Sequence, residues 1–182
     1  MNIPNTLTLL RIALIPVFVV VFYLPVKWNN QIACFIFVLA AVTDILDGYL
    51  ARKLNQISSL GEFLDPVADK LMIAVVLVLL VEQDPTPFLA LPAAVIIGRE
   101  ITISALREWM AELGDRSKVA VSGYGKLKTI MQMVALGLLI YHDDLFILPI
   151  YELGYICLYV AVFLTLWSMF QYIHAAWPKL KE

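Results

Sequence analysis

Six apolar runs separated by short polar connectors leave this chain few folds other than a bundle of membrane helices. They cover approximately residues 7–24, 31–51, 63–81, 88–106, 127–141 and 153–173, and crossing about 30 Å of hydrocarbon takes about 20 helical residues. The connectors at 25–30, 53–61, 82–87, 114–123 and 142–149 hold turn formers and charge. None has room for a separate soluble domain, so residues 1–182 are expected to form a single membrane domain. Composition agrees. Apolar residues make up 62% and charged residues 15%, against about half and a quarter in soluble proteins, too little polar surface to coat a globule. The formal net charge of −2 gives no support to an electrostatic grip on nucleic acid. Cys34 and Cys157 lack a CxxC spacing, so neither a disulfide framework nor a zinc site is indicated.

Arg11 lies inside the first run and no A-x-A-like cleavage site follows it, so the run is expected to be mature structure. Lys and Arg favour the cytoplasmic side of a membrane. Arg52, Lys53, Arg107, Arg116, Lys118, Lys126, Lys128, Lys179 and Lys181 fall on one side of a six-span chain, and Lys27 is the only basic residue in the opposite loops. Both termini are therefore expected in the cytoplasm. Trp167, Tyr172 and Trp177 at that side, with Tyr23 and Trp28 at the other, read as interface anchors.

Ionisable groups inside spans are costly and point to function. The second run carries Asp44 and Asp47, and the third carries Asp65 and Asp69. Residues three or four apart share one helix face, so each helix offers one acidic face. Asp47 and Asp65 are expected about 6 to 8 Å inside the cytoplasmic boundary, so the two pairs can meet. Four carboxylates there need positive charge among them. Oxygen donors without His or Cys select magnesium, manganese or calcium, and two such pairs have the capacity for two ions facing a phosphate-containing substrate. The alternative is that the acids pair with Lys70, Arg99 or Arg52, or line a wet cavity. Gly48 and Ala51 leave the surface beside Asp47 without bulk, so a planar base or ribose has access to the backbone. Gly61 offers a similar gap before the third run, and the forked donors of Arg52 suit a phosphate.

The pattern Asp44-x2-Asp47-Gly48-x2-Ala51-Arg52-x8-Gly61-x3-Asp65-x3-Asp69 resembles the complete signature of the CDP-alcohol phosphotransferases. Three further segments resemble the branch of that family that uses glycerol 3-phosphate: Asn5-x-Leu7-Thr8-x2-Arg11, the run from Arg99 to Glu108, and Gly125-Lys126-x-Lys128-Thr129. The resemblance implies an all-α integral membrane protein of six transmembrane helices, with a polar metal and nucleotide cavity at the cytoplasmic side of a bacterial inner membrane. It implies transfer of a phosphatidyl group from CDP-diacylglycerol to glycerol 3-phosphate, releasing CMP. It also implies roles. Asp44, Asp47 and Asp65 would hold Mg2+ or Mn2+, with Asp69 completing a second ion site and acting as general base. Asn5, Thr8, Asp44, Gly48, Ala51, Arg52 and Gly61 would contact the cytidine nucleotide, and the protein would be a homodimer.

A small anionic acceptor needs its own cationic pocket. Arg99 and Arg107 lie on nearly one face of the fourth run, and Lys126 and Lys128 open the fifth, so together they are expected to clamp the acceptor phosphate. Arg99 is about 17 Å from the outer helix end by helical rise, too deep for simple snorkelling. Its alternative partner would be Glu62 or one of the four aspartates. A different acceptor (inositol phosphate, serine or phosphatidylglycerol) would keep the same acidic core. A divalent-cation transporter is the remote alternative, disfavoured because the acids sit near one face rather than along a path across the membrane.

Overall fold

The computed structural model describes residues 3–53, 58–112, 123–145 and 147–180, and these form six helices. They are α1 (Ile3–Phe22), α2 (Asn29–Lys53), α3 (Ser59–Gln83), α4 (Pro87–Glu112), α5 (Gly123–Tyr141) and α6 (Ile150–Leu180). All six apolar runs are helical, and the one β pairing among the described residues is an isolated Leu145–Leu148 bridge. Four helices are long and apolar enough to cross a membrane: Asn5–Phe22, Asn29–Leu50, Pro87–Glu112 and Ile150–His174. The other two fall short for definable reasons. Glu62, Asp65, Asp69 and Lys70 crowd the first half of α3, and the apolar part of α5, Leu127–Tyr141, is short.

The helix ends follow from local chemistry. Ser58 caps α3 from an extended conformation, its hydroxyl accepting the Gly61 N–H at 3.1 Å. As a result α3 begins earlier than the apolar pattern suggests, and Gly61 sits in its first turn rather than in the preceding loop. α5 stops at His142, whose positive φ of 63° ends the helix in the left-handed region. Inside α4, Pro92 has no N–H to offer the carbonyl one turn back. That carbonyl, Phe88 O, accepts the Tyr159 hydroxyl at 3.0 Å instead and joins α4 to α6.

The helices pack in a ring in which α1 meets α2, then α5, α6, α4 and α3, which returns to α1; α3 also touches α5 across the middle. Apolar packing closes one half of this ring through Phe18, Phe37, Leu80, Leu89, Ile96, Leu136, Leu139 and Leu158. The α5–α6 crossing is tight because residue 154 is glycine: a Cβ there would meet Leu139 Cγ at 2.9 Å and its backbone N at 3.2 Å. Cys34 bonds the Gly137 carbonyl within this half, and both cysteines are unbridged. Large apolar side chains such as Ile45, Phe63, Phe88 and Phe163 face outward, as a lipid environment rather than water requires.

At the margin of the apolar half, Asp84 ends α3 and accepts hydroxyls from Tyr155 at 2.5 Å and Tyr151 at 2.7 Å. These bonds, led by Tyr155, hold its carboxyl below the usual range. A depressed folded-state value means the contribution is complete above the ordinary carboxylate pKa of about 3.9 and is lost as pH falls through the lower folded value. Thermal unfolding in detergent should therefore show no Asp84-dependent change from pH 7 to pH 5. An acid-side loss of stability should appear below about pH 4 and be reduced in Asp84→Asn.

Candidate active site

The remaining polar side chains gather at the other end of the ring, where α1, α3 and α5 begin and α2, α4 and α6 finish. Helical alternation thus puts Asp44 and Asp47 near the end of α2 at the same level as Asp65 and Asp69 near the start of α3, as their spacing predicts. Between them projects Arg11 of α1, its side chain 2% exposed. Arg11 Nη1 lies 2.7 Å from Asp44 Oδ1 and 2.5 Å from Asp69 Oδ1, and Nη2 pairs with Asp47 Oδ2. Because Asp44 and Asp69 contact the same nitrogen, their oxygens are no farther apart than those two contacts laid end to end. The Thr8 hydroxyl donates to Asp65 Oδ1 at 2.8 Å and reaches Asp47 Oδ2 at 3.3 Å. One face of α1 therefore joins all four acids.

No site role attaches to Arg11 from the sequence, although it stands in the segment Asn5-x-Leu7-Thr8-x2-Arg11. It is an ionisable group inside an apolar run, the same signal that singled out the aspartates. Neither Lys70 nor Arg99 pairs with the acids; among the described residues Arg11 is the one basic side chain that does. Acidic side chains outnumber the guanidinium four to one at the site. Asp47 is sealed at 4% exposure, but Asp44 and Asp69 are open at 43% and 47%. Both border a cavity of about 580 Å³ whose other walls are largely apolar, formed by Phe37 and Ala40 of α2, Met72 and Ile73 of α3, and Ile130 and Met133 of α5.

A donor set made of carboxyl oxygens suits a hard divalent cation. Yet no group of three or more acidic, His or Cys side chains among the described residues is arranged around a metal position. The guanidinium of Arg11 lies where the expected cation cage would form, and its own Nε has no hydrogen-bond partner.

The glycines beside the acids behave differently from one another. A Cβ on Gly48 would meet nothing within 4 Å, so its smallness leaves open space. At Gly61 a Cβ would lie 2.9 Å from Asn5 Oδ1, which itself accepts the Ser58 hydroxyl at 2.7 Å. Gly61 thus permits the close approach of α1 to α3 and keeps Asn5 buried. Gly48→Ala should leave the unfolding temperature in detergent unchanged or slightly raised, since alanine favours a helix by about 0.5–1 kcal/mol and the added methyl meets nothing within 4 Å. Gly61→Ala should cost about 1 kcal/mol or more by disturbing the Asn5 bond. The side chains of Ala51, Arg52 and Lys126 lie outside the described residues.

The basic residues form a second cluster, between α4, α5 and α6. Arg99 does not reach the four aspartates, because α4 faces α6 on the far side of α3. Its Nη1 donates to Glu100 Oε1 at 2.8 Å and its Nη2 to Ser168 Oγ at 3.1 Å. Lys128 Nζ donates to the same Glu100 oxygen at 2.5 Å. Arg107 joins through Tyr172, donating to its hydroxyl at 3.0 Å, and both arginines lie over the Tyr172 ring. Tyr172 is consequently a buried support for this cluster and not an interface anchor; Tyr23, Trp28, Trp167 and Trp177 are exposed as such anchors would be. On α5, Lys128 directly precedes Thr129, which borders the cavity beside Asp44 and Asp69. The acidic and basic clusters thus occupy one end of the ring on either side of the α3–α5 contact.

Residues 1–167 match the sequence profile of the CDP-alcohol phosphatidyltransferases. The chain belongs to this family. It is similar to proteins named CDP-diacylglycerol--glycerol-3-phosphate 3-phosphatidyltransferase from Pseudomonas fluorescens, 56% identical over 182 residues that span all of this chain and 93% of the relative. The protein of that name from Sodalis glossinidius is also 56% identical over 182 residues, covering all of this chain and 98% of the relative. The one from Yersinia pestis is 53% identical over 183 residues, with the same coverage as the Sodalis protein. The match includes the acidic helices, the basic cluster and the connections between them. A phosphotransferase family and a site in which acids face a cavity while buried cations stand nearby are mutually consistent.

Proposed function

We propose that the chain transfers a phosphatidyl group from CDP-diacylglycerol to sn-glycerol 3-phosphate, forming phosphatidylglycerol phosphate and CMP for phospholipid synthesis. The observation that carries this reading is the convergence of Asp44 and Asp69, from two helices, on one nitrogen of Arg11 at the border of an apolar cavity. A substrate with a charged diphosphate next to acyl chains needs such a junction. The six helices then all lie in the inner membrane of a bacterium as one domain, with both termini and the polar end of the ring in the cytoplasm and two copies forming a homodimer.

Divalent-metal dependence is general to the family, and Asp44, Asp47, Asp65 and Asp69 are the side chains that would hold Mg2+ or Mn2+, two ions in all. When bound, the metal supplies charge neutralisation for the diphosphate and for departing CMP. Asn5, Thr8, Asp44, Gly48, Ala51, Arg52 and Gly61 receive the cytidine nucleotide, with Gly48 giving the base its approach. Arg11 holds Asp44, Asp47 and Asp69 at one place before substrate arrives. Arg99, Arg107, Lys126 and Lys128 bind the phosphate of the acceptor. Asp69 takes the proton from the acceptor hydroxyl. The hydroxyl oxygen forms its bond to the lipid-bearing phosphorus as the bond from that phosphorus to the CMP oxygen breaks.

The test uses the full chain, purified in detergent, with CDP-diacylglycerol and Mg2+, and measures CMP release across a panel of acceptors. Release that requires glycerol 3-phosphate and stops with a chelator is expected. Equal release with inositol phosphate, serine or phosphatidylglycerol would reject the acceptor, and metal flux in liposomes without CMP formation would reject the enzyme.

A further inference from the structure

We propose that Glu100 is a positioning residue for the acceptor phosphate, using one carboxylate oxygen to hold Arg99 and Lys128 at a fixed separation between α4 and α5. The proposal rests on the assignment of the acceptor pocket made above. Glu100 Oε1 accepts from Arg99 Nη1 at 2.8 Å and from Lys128 Nζ at 2.5 Å. The two cations stand on helices separated by α6 in the ring, and they are 7% and 3% exposed. Two positive charges removed from water repel each other and resist desolvation. A shared anion relieves both effects, and it also fixes the end of a lysine chain that otherwise has several rotatable bonds.

Stability alone gives a weak reason for this arrangement. Replacing a buried charged group of this kind by apolar residues is often neutral or stabilising, and the neighbouring Ile103, Met110 and Leu106 show that apolar packing is available there. The cluster retains net positive charge after Glu100 is counted, because Arg99, Lys128 and Arg107 outnumber it. Arg99 is further set by Ser168 and the Tyr172 ring, whereas Lys128 depends on Glu100 alone for a charged partner among the described residues. Glu100 itself is repelled by a phosphate, so it acts through the two cations.

Steady-state kinetics of the full chain in detergent test this through Glu100→Gln and Glu100→Asp, with Arg99→Ala and Lys128→Ala measured alongside. KM does not depend on the fraction of enzyme that folds, so a partly unstable variant still reports. Glu100→Gln should raise the KM for glycerol 3-phosphate about tenfold, the effect of weakening its charge-assisted bonds to the two cations. The KM for CDP-diacylglycerol should stay within about twofold, and Glu100→Asp should recover most of the loss. Parallel rises in both constants would mean a purely structural role and overturn the proposal. So would an unchanged KM, or a lower one, which would make Glu100 a competitor for the cations. If Arg99→Ala and Lys128→Ala raise the glycerol 3-phosphate KM while Glu100→Gln does not, positioning alone fails. If none of the variants raises it, the pocket assignment fails and the proposal falls with it.

Discussion

Asp69→Asn should fold and insert as the parent does yet release CMP about 10²–10⁴-fold more slowly, the usual span for loss of a general base. Asparagine keeps the size of the side chain and an oxygen able to accept from Arg11, so the contact at 2.5 Å has a neutral replacement. It has no carboxylate to take a proton. The measurement is initial-rate CMP release at saturating substrates, with unfolding temperature as the control for folding. Substantial retained turnover would remove Asp69 from the role of base. An equal loss in Asp65→Asn, an acid held by Thr8 rather than by Arg11, would show no role for Asp69 beyond the metal holding it shares with Asp65. The separate partners of the two acids make different outcomes the expectation.

Arg11→Ala should have the largest effect on stability. It removes the cation from three carboxylates at once, one of them sealed from solvent. Breaking a buried pair costs about 3–5 kcal/mol, and the lower end applies because Asp44 and Asp69 are open enough for water to screen them. The variant should also gain more stability from added Mg2+ than the parent does, since freed carboxylates bind a cation that stabilises the folded state by mass action. Thermal unfolding with and without Mg2+ measures both effects. A variant as stable as the parent, with no greater response to Mg2+, would show that the guanidinium is not what holds the acids together. Arg11→Lys should recover only part of the loss, because one ammonium cannot match the planar fork that serves Asp44, Asp47 and Asp69.

These two variants show why the site was only partly legible from the sequence. Asp44, Asp47, Asp65 and Asp69 could be read directly, because spacings of three and four put each pair on one face and acids inside apolar runs attract notice. Arg11 meets the same criterion but lies fourteen residues before the nearest connector, alone on its helix, and nothing in its spacing names a partner. For Arg99, depth was legible and partner was not: Glu100 is its immediate neighbour in sequence, and adjacent residues do not ordinarily face each other on a helix. They meet here because Lys128 and Ser168 draw the two side chains toward the same interior. The apolar pattern starts at Phe63 and so predicts a loop at Gly61, whereas the Ser58 cap starts the helix one turn earlier.

Sequence alone determined the six helices, their order, and the level at which the charged residues stand. Those properties depend on the rise and rotation per residue, which are local and nearly constant along a helix. The tertiary structure decided which charges meet. Arg11 joins Asp44, Asp47 and Asp69 because α1 lies against both α2 and α3, and Arg99 joins Glu100, Lys128 and Ser168 because α4 and α5 both face α6. Neighbour relations in a ring depend on how each helix is turned about its axis to bury its side chains, a choice made by all six helices together and by no single stretch of sequence.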